Sequence, residues 1–320
     1  MKKHIYISAL ITFIVALSSC YKYYDINLPD TEQKTVINGI LFSDSILPVF
    51  ITKSMKLGIF EDSTDVNFVD TAIVELYKNN QFAEKLLNKG NGKYLSIDSI
   101  EAGENYTVKI KNGEQNFEIN CTVPQKQKFT SLECLDYDSI NQVYSINIVI
   151  DDATGKDYYG FSAYTYMPNI IVDTLGNIVG FNISKVPLYL DPKSNQNLYV
   201  YSYELQPFFN GQLIDDDFFS EQTFSTVFNL SNPISGYELD SSMFTIDSIT
   251  VYFELYKFDN NMFNYLTSSV KYFESTGNPM VEPVNIYSNI EGGIGVIAAA
   301  SKTTDSLKIP FKNGINNLVK

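Results

Sequence analysis

The segment ENYTVKIKNGEQNFEINCTVP (104–124) restricts the fold more than any other stretch of the chain. Tyr106, Val108 and Ile110 alternate with polar residues, Asn112-Gly113 offers a turn, and Phe117, Ile119 and Cys121 alternate again. A period of two on both sides of an Asn-Gly dipeptide predicts two antiparallel strands with one buried face each. The same grammar recurs upstream. TVINGILF (35–42) and LPVFITKS (47–54) read as strands, and residues 71–96 read as short strands punctuated by Asn79-Asn80 and Gly90-Asn91-Gly92. Residues 35–124 are therefore expected to form a β-sandwich of about seven strands.

Pro124 and the polar run 125–128 mark a boundary, and 125–320 is expected to be a larger, aromatic-rich antiparallel β domain. Its strand candidates are 143–152, 158–166, 198–205, 223–230 and 247–258. Its aromatic residues follow a whole-chain bias of 23 Tyr and 22 Phe, with no Trp, and such residues favour strands. One segment breaks the pattern. In 260–275, Met262, Phe263, Leu266, Val270 and Phe273 share a face at helical spacing, with Asp259 or Asn260 as N-cap. After it, Gly292-Gly293-Ile294-Gly295 predicts a tight passage rather than a phosphate loop, since the spacing and lysine of such a loop are missing. GVIAAAS and SLKIP close the chain as two final strands. The fold class is thus mainly β, with at least one helix.

The first twenty residues carry an address. Lys2 and Lys3 precede an apolar run from Ile5 to Leu17, which ends Ser18-Ser19-Cys20. That is a secretory leader, and small residues before a cysteine resemble a bacterial lipobox. Residues 1–19 are then a lipoprotein signal peptide, Cys20 carries the lipid, and 20–34 is a tether. A soluble secreted protein and a retained anchor are the other readings. The apolar run is short for a membrane span, which needs about 20 residues. Several acyl chains on Cys20 would hold the domain firmly to a bilayer, and Tyr21, Tyr23 and Tyr24 would suit the lipid–water boundary.

Chemistry is narrowed by what the mature chain lacks. The only histidine, His4, lies in the leader, and the chain has no arginine. Triads that use histidine and histidine zinc sites are therefore ruled out for residues after Cys20. The formal charge is −14, which disfavours nucleic acid and anionic lipid surfaces. A carboxylate glycosidase needs only two acids in a cleft, yet none of the acidic residues is singled out by its context. No catalytic residue is assigned, and a non-enzymatic role is expected. Cys121 and Cys134 form either a disulfide in an oxidising compartment or two buried thiols. Asp215, Asp216 and Asp217 could offer oxygen ligands to Ca2+, although a solvated acidic loop explains them better. No other cofactor is expected.

TVINGILFSDSILPVFITKS, AGENYTVKI, IDDDFF (214–219) and above all PVNIYSNIEGGIGVIAAAS (283–301) resemble the DUF4249 lipoproteins of Bacteroidota. The resemblance covers roughly residues 30 to 305. Val296-Ile297 departs from it, standing where the closing signature often has an aromatic residue. It implies an immunoglobulin-like or prealbumin-like N-terminal sandwich, outer-membrane anchoring, and a role as accessory or binding subunit beside a TonB-dependent receptor. A free-standing surface adhesin or structural envelope protein is the runner-up. The cell surface is slightly favoured over the periplasmic face. A separate resemblance, to the Asp-Ser/Thr-apolar acceptors of exported Bacteroidota glycoproteins, marks Ser45, Ser63, Thr71, Ser99, Ser139, Thr174, Ser248 and Ser306 for O-glycosylation.

Overall fold

The computed structural model describes residues 32–55, 66–152, 155–174, 178–193, 209, 211–215, 223–232, 248–276, 280–282 and 284–310. The N-terminal half supplies β1 (Thr35–Phe42), β2 (Ile46–Lys53), β3 (Ile73–Lys78), β4 (Gln81–Lys85), β5 (Leu87–Asn88), β6 (Lys93–Ser99), β7 (Asn105–Asn112) and β8 (Gln115–Thr122). The C-terminal half supplies β9 (Ser131–Asp138), β10 (Val143–Asp151), β11 (Tyr158–Val172), β12 (Ile178–Leu188), β13 (Leu190–Pro192) and β14 (Gln212–Asp215). It continues with β15 (Thr223–Ser231), β16 (Ser248–Phe258), the helix α1 (Asn260–Ser275) and β17 (Ile294–Pro310). The strand candidate at 198–205 lies outside the described residues.

Turn chemistry sets the local pairings. Asn79 and Asn80 have φ of 50° and 65° and join β3 to β4, with Lys78 opposite Gln81. Asparagine tolerates this left-handed backbone, which matches the twist of the strands it joins. The β7–β8 turn is Gly113-Glu114 rather than Asn112-Gly113, because Asn112 pairs with Gln115. Gly113 at φ 62° takes the first turn position, where glycine meets no steric penalty.

Among the described residues three sheets form. A nine-stranded sheet runs β12-β11-β16-β17-β1-β2-β6-β5, with β14 also paired to β11. Two four-stranded sheets run β4-β3-β7-β8 and β13-β15-β10-β9. The first small sheet shares an apolar core with the large one through Ile37, Val49, Val74, Val108, Ile119 and Ile297. The second does so through Ile146, Ile148, Phe161, Phe228, Phe253 and Ile309. The protein is mainly β and sandwich-like, as its alternating strands predict.

The boundary expected near residue 124 separates the two small sheets, but the large sheet crosses it. β17 pairs in parallel with β1 over Ile294–Ala300 and antiparallel with β16 over Ala300–Pro310. Ile297 and Ala299 enter the first core, and Ile309 enters the second. GVIAAAS and SLKIP are therefore one 17-residue strand, about 55 Å long. The polar stretch between them resembles a turn in sequence. It stays extended because β16 continues to pair with it. At the start of this strand Gly295 has φ 114°, and a Cβ there would lie 2.0 Å from the Ile37 carbonyl oxygen. No other residue fits that approach.

On the opposite face of the large sheet, α1 covers Ile40, Val296, Ala298 and Ala300 with Met262 and Leu266. The helix occupies the expected residues, and the Asp259 carboxylate accepts the Met262 N–H at 2.7 Å as its N-cap. Phe273, expected on the buried face, is largely exposed beside Tyr272, because the core under α1 ends before the last turn.

Candidate functional site

Beyond α1, the same outward face of the large sheet carries a polar and aromatic cluster built from four strands. The alternation of β11 sends Tyr159, Phe161, Ala163 and Met167 into the second core. It leaves Ser162, Tyr164 and Tyr166 on the other side. β16 divides likewise, with Val251, Phe253 and Leu255 in that core and Tyr252, Glu254 and Tyr256 outward. Register brings the outward residues together. Tyr164 faces Tyr252, Ser162 faces Glu254, Tyr166 faces Lys185 on β12, and Tyr256 faces Lys302 on β17.

Glu254 is the centre of the cluster and is 5% exposed. Its Oε2 accepts from Tyr256 Oη at 2.8 Å and Ser162 Oγ at 3.0 Å, and its Oε1 meets Lys302 Nζ at 2.9 Å and Lys185 Nζ at 3.5 Å. Burial pushes the carboxyl up, but the Lys302 ammonium, the Tyr256 hydroxyl and Lys185 outweigh it and hold the group below the usual carboxylate range. A carboxylate so stabilised is a weak base and an acceptor for Ser162. Burial and the Glu254 charge raise the Tyr256 hydroxyl, and the same causes push Tyr164 up to about 12. Both therefore stay protonated, and Tyr256 acts as a donor to Glu254. The cluster fixes charge and orientation.

The three outer tyrosines lock one another. Tyr164 and Tyr252 stack at 5.1 Å, and Tyr166 meets each of them edge-on, at 5.6 and 5.5 Å. Lys185 Nζ lies 3.7 Å from the centre of the Tyr164 ring.

A second polar group lies where β11, β14 and β16 end. Lys257 pairs with Asp157, Tyr159 Oη donates to Asp152 at 2.6 Å, and Lys156 pairs with Asp215 at 3.3 Å. Asp215 thus faces a lysine. Asp216 and Asp217 lie outside the described residues, among which no three His, Cys, Asp or Glu side chains gather as a metal site.

Cys121 and Cys134 are not bonded to each other. They sit on β8 and β9, in different small sheets. Cys121 lies in the first core and donates to the Ile297 carbonyl at 3.2 Å, and Cys134 packs at the margin of the second. Burial pushes the Cys121 thiol well up, which leaves it inert.

The closing signature proves to be a clasp. β16 does not reach the first residues of β17, and the Asn289 side chain takes its place there. Asn289 Nδ2 donates to the Ile297 carbonyl at 2.7 Å, and its Oδ1 accepts the Ile297 N–H at 3.0 Å. Tyr287 ties the same segment to α1 through Ser268 Oγ at 2.8 Å and Asn261 Oδ1 at 2.9 Å.

Of the glycan acceptor candidates, Ser45, Thr71, Ser139 and Thr174 lie exposed at turns or bends. Ser99 and Ser306 are exposed in strands, and Ser248 is half-buried. Ser63 and Cys20 lie outside the described residues, as do residues 1–19, Tyr21, Tyr23 and Tyr24. Among the described residues no helix is long and apolar enough to cross a membrane.

The members of the Glu254 cluster are far apart in the chain and follow no motif. The sequence marks the cluster only by tyrosines two or four positions apart, 164 and 166, then 252 and 256, which share a strand face. Residues 21–306 match a family model described as a domain of unknown function (DUF4249). No curated protein matches the chain.

Proposed function

The chain belongs to the DUF4249 family, and from that premise we propose that it is a non-enzymatic binding lipoprotein of the outer membrane. In this reading Cys20 carries the lipid, and the folded body serves a TonB-dependent receptor as an accessory subunit. The observation that carries the proposal is the outward face around Glu254. Its tyrosines and lysines are held in place by cross-strand contacts, while its buried carboxylate is tied up by four donors. Preset aromatic side chains lose little freedom on contact, which is the economy of a binding surface. The leader and the lipobox support the address.

Affinity purification from detergent-solubilised membranes tests the role. The receptor is expected to co-purify with the chain, and recovery only as a monomer would weigh against it in favour of a free-standing adhesin. Protease treatment of intact cells is expected to cleave the protein, in keeping with a surface orientation. The exposed acceptor triplets are proposed glycan sites, checked by the mass of the corresponding peptides.

A further inference from the structure

The face around Glu254 has a charge balance opposite to that of the whole chain. The chain carries −14. On the outward side of β11, β12, β16 and β17 beyond α1, the described charged residues are Lys185, Lys302, Lys308 and Glu254. The one acid is buried and already bonded to two of the lysines. Those two ammonium groups meet on a single carboxylate oxygen, and their side chains are 50% and 40% exposed, so both keep a side open to water. A local excess of positive charge on an acidic protein marks a place where an anion is attracted and the rest of the surface repels it.

The pattern along β17 narrows the kind of anion. Lys302, Thr304, Ser306 and Lys308 are exposed and alternate on this face, giving a cation, two hydroxyls and a cation over about 20 Å. Beside the first lysines stands Tyr166, 49% exposed, with its ring fixed edge-on to Tyr164 and Tyr252. A tyrosine ring offers an apolar face and a polar edge. A sugar ring divides its surface in the same way, into a C–H face and a hydroxyl edge. A linear saccharide with acidic groups would meet lysine, hydroxyl and aromatic partners in turn. A nucleic acid would need many more phosphate contacts than three lysines provide, against the field of the whole chain.

We infer that this face binds an acidic oligosaccharide along β17, with Lys185 and Lys302 holding a carboxylate and Tyr166 lying against a sugar ring. The inference rests on the binding-protein reading and supplies its ligand class. Its test is calorimetric titration of the full lipidated chain, in a polyoxyethylene detergent, with a galacturonate hexamer. A neutral hexasaccharide and hexaglutamate are titrated in parallel. The galacturonate hexamer is expected to bind, with affinity falling as salt rises. Lys185→Gln and Tyr166→Ala, both at exposed positions and so expected to fold, should each weaken it about tenfold or more. Absence of galacturonate binding overturns the inference. So does equal binding of hexaglutamate, which would show that charge alone is read, and so does affinity unchanged in both variants. Receptor co-purification is scored on the same protein. If it survives while saccharide binding fails, the ligand class falls and the accessory role stands.

Discussion

The two small sheets use the large sheet in the same way, yet they are assembled by different means. In β4-β3-β7-β8 each hairpin closes through a two-residue turn, at Asn79-Asn80 and Gly113-Glu114. In β13-β15-β10-β9 the central pair joins Asp151 to Thr223 and Val143 to Ser231, strands far apart in the chain. The outward faces differ as well. Near the N-terminal edge of the large sheet, Ile46, Phe50 and Leu87 stand exposed and apolar. Beyond α1, the face is tyrosine, lysine and one buried carboxylate. In the N-terminal half, local turns build the small sheet on either side of its β3–β7 pair. The C-terminal half spends long strands on gathering distant residues into one surface.

The comparison fails first where both halves meet. Gly295→Ala forces a side chain into the Ile37 carbonyl at a backbone angle reserved for glycine. A loss of more than about 3 kcal/mol is expected, and both cores should melt together. Hydrogen exchange that accelerates in β7–β8 and in β10 alike would show this, and acceleration in one half alone would mean that the seam does not couple them. Phe253→Ala empties a fully buried site in the second core and should cost about 3–5 kcal/mol. Urea unfolding should still show one transition, shifted to lower denaturant.

Two acids, Glu254 inside β16 and Asp259 at the cap of α1, set opposite pH responses. Burial pushes the Asp259 carboxyl up to about 6, against the hydrogen bonds it accepts as a helix cap. Its folded pKa exceeds the unfolded one, so its contribution is greatest below about pH 4 and is lost as pH rises through 6. Asp259→Asn keeps the cap at the Met262 N–H and should remove up to about 3 kcal/mol of that loss, read as a urea midpoint that no longer falls between pH 4.5 and 7.5. Glu254 is held below the usual range by its lysines, so its contribution is present at neutral pH and is lost as pH falls through its folded pKa. Glu254→Gln should cost about 1.5–3 kcal/mol at pH 7 and much less in strong acid. The smallest effect is expected on the apolar strip. Phe50→Ser removes an exposed ring and should change stability by no more than about 0.5 kcal/mol, seen as an unchanged melting temperature.

What was legible in the sequence follows the same division. The Asn-Asn turn, the strands on either side of Gly113 and the helix after Asp259 are local events, and each is written in adjacent residues. The continuity of β17 was hidden, because Lys302–Asp305 looks like a turn until β16 is placed beside it. The Glu254 cluster was hidden for a related reason. Ser162, Lys185, Glu254 and Lys302 become neighbours only through the register of three strand pairs. The closing signature was recognised as a pattern, but its role as a clasp at the open edge of β17 needs the structure to be seen.

The central claim is that the protein binds its ligand through the face around Glu254 and not through the apolar N-terminal strip. Hydroxyl-radical footprinting tests it directly, since both faces carry reactive side chains. The protein is labelled in native envelopes and again after purification, and the two patterns are compared. The account predicts protection of Tyr164, Tyr166 and Tyr252 in the envelope, with Phe50 and Leu87 labelled equally in both. Protection of Phe50 and Leu87, with the tyrosines unchanged, would contradict it.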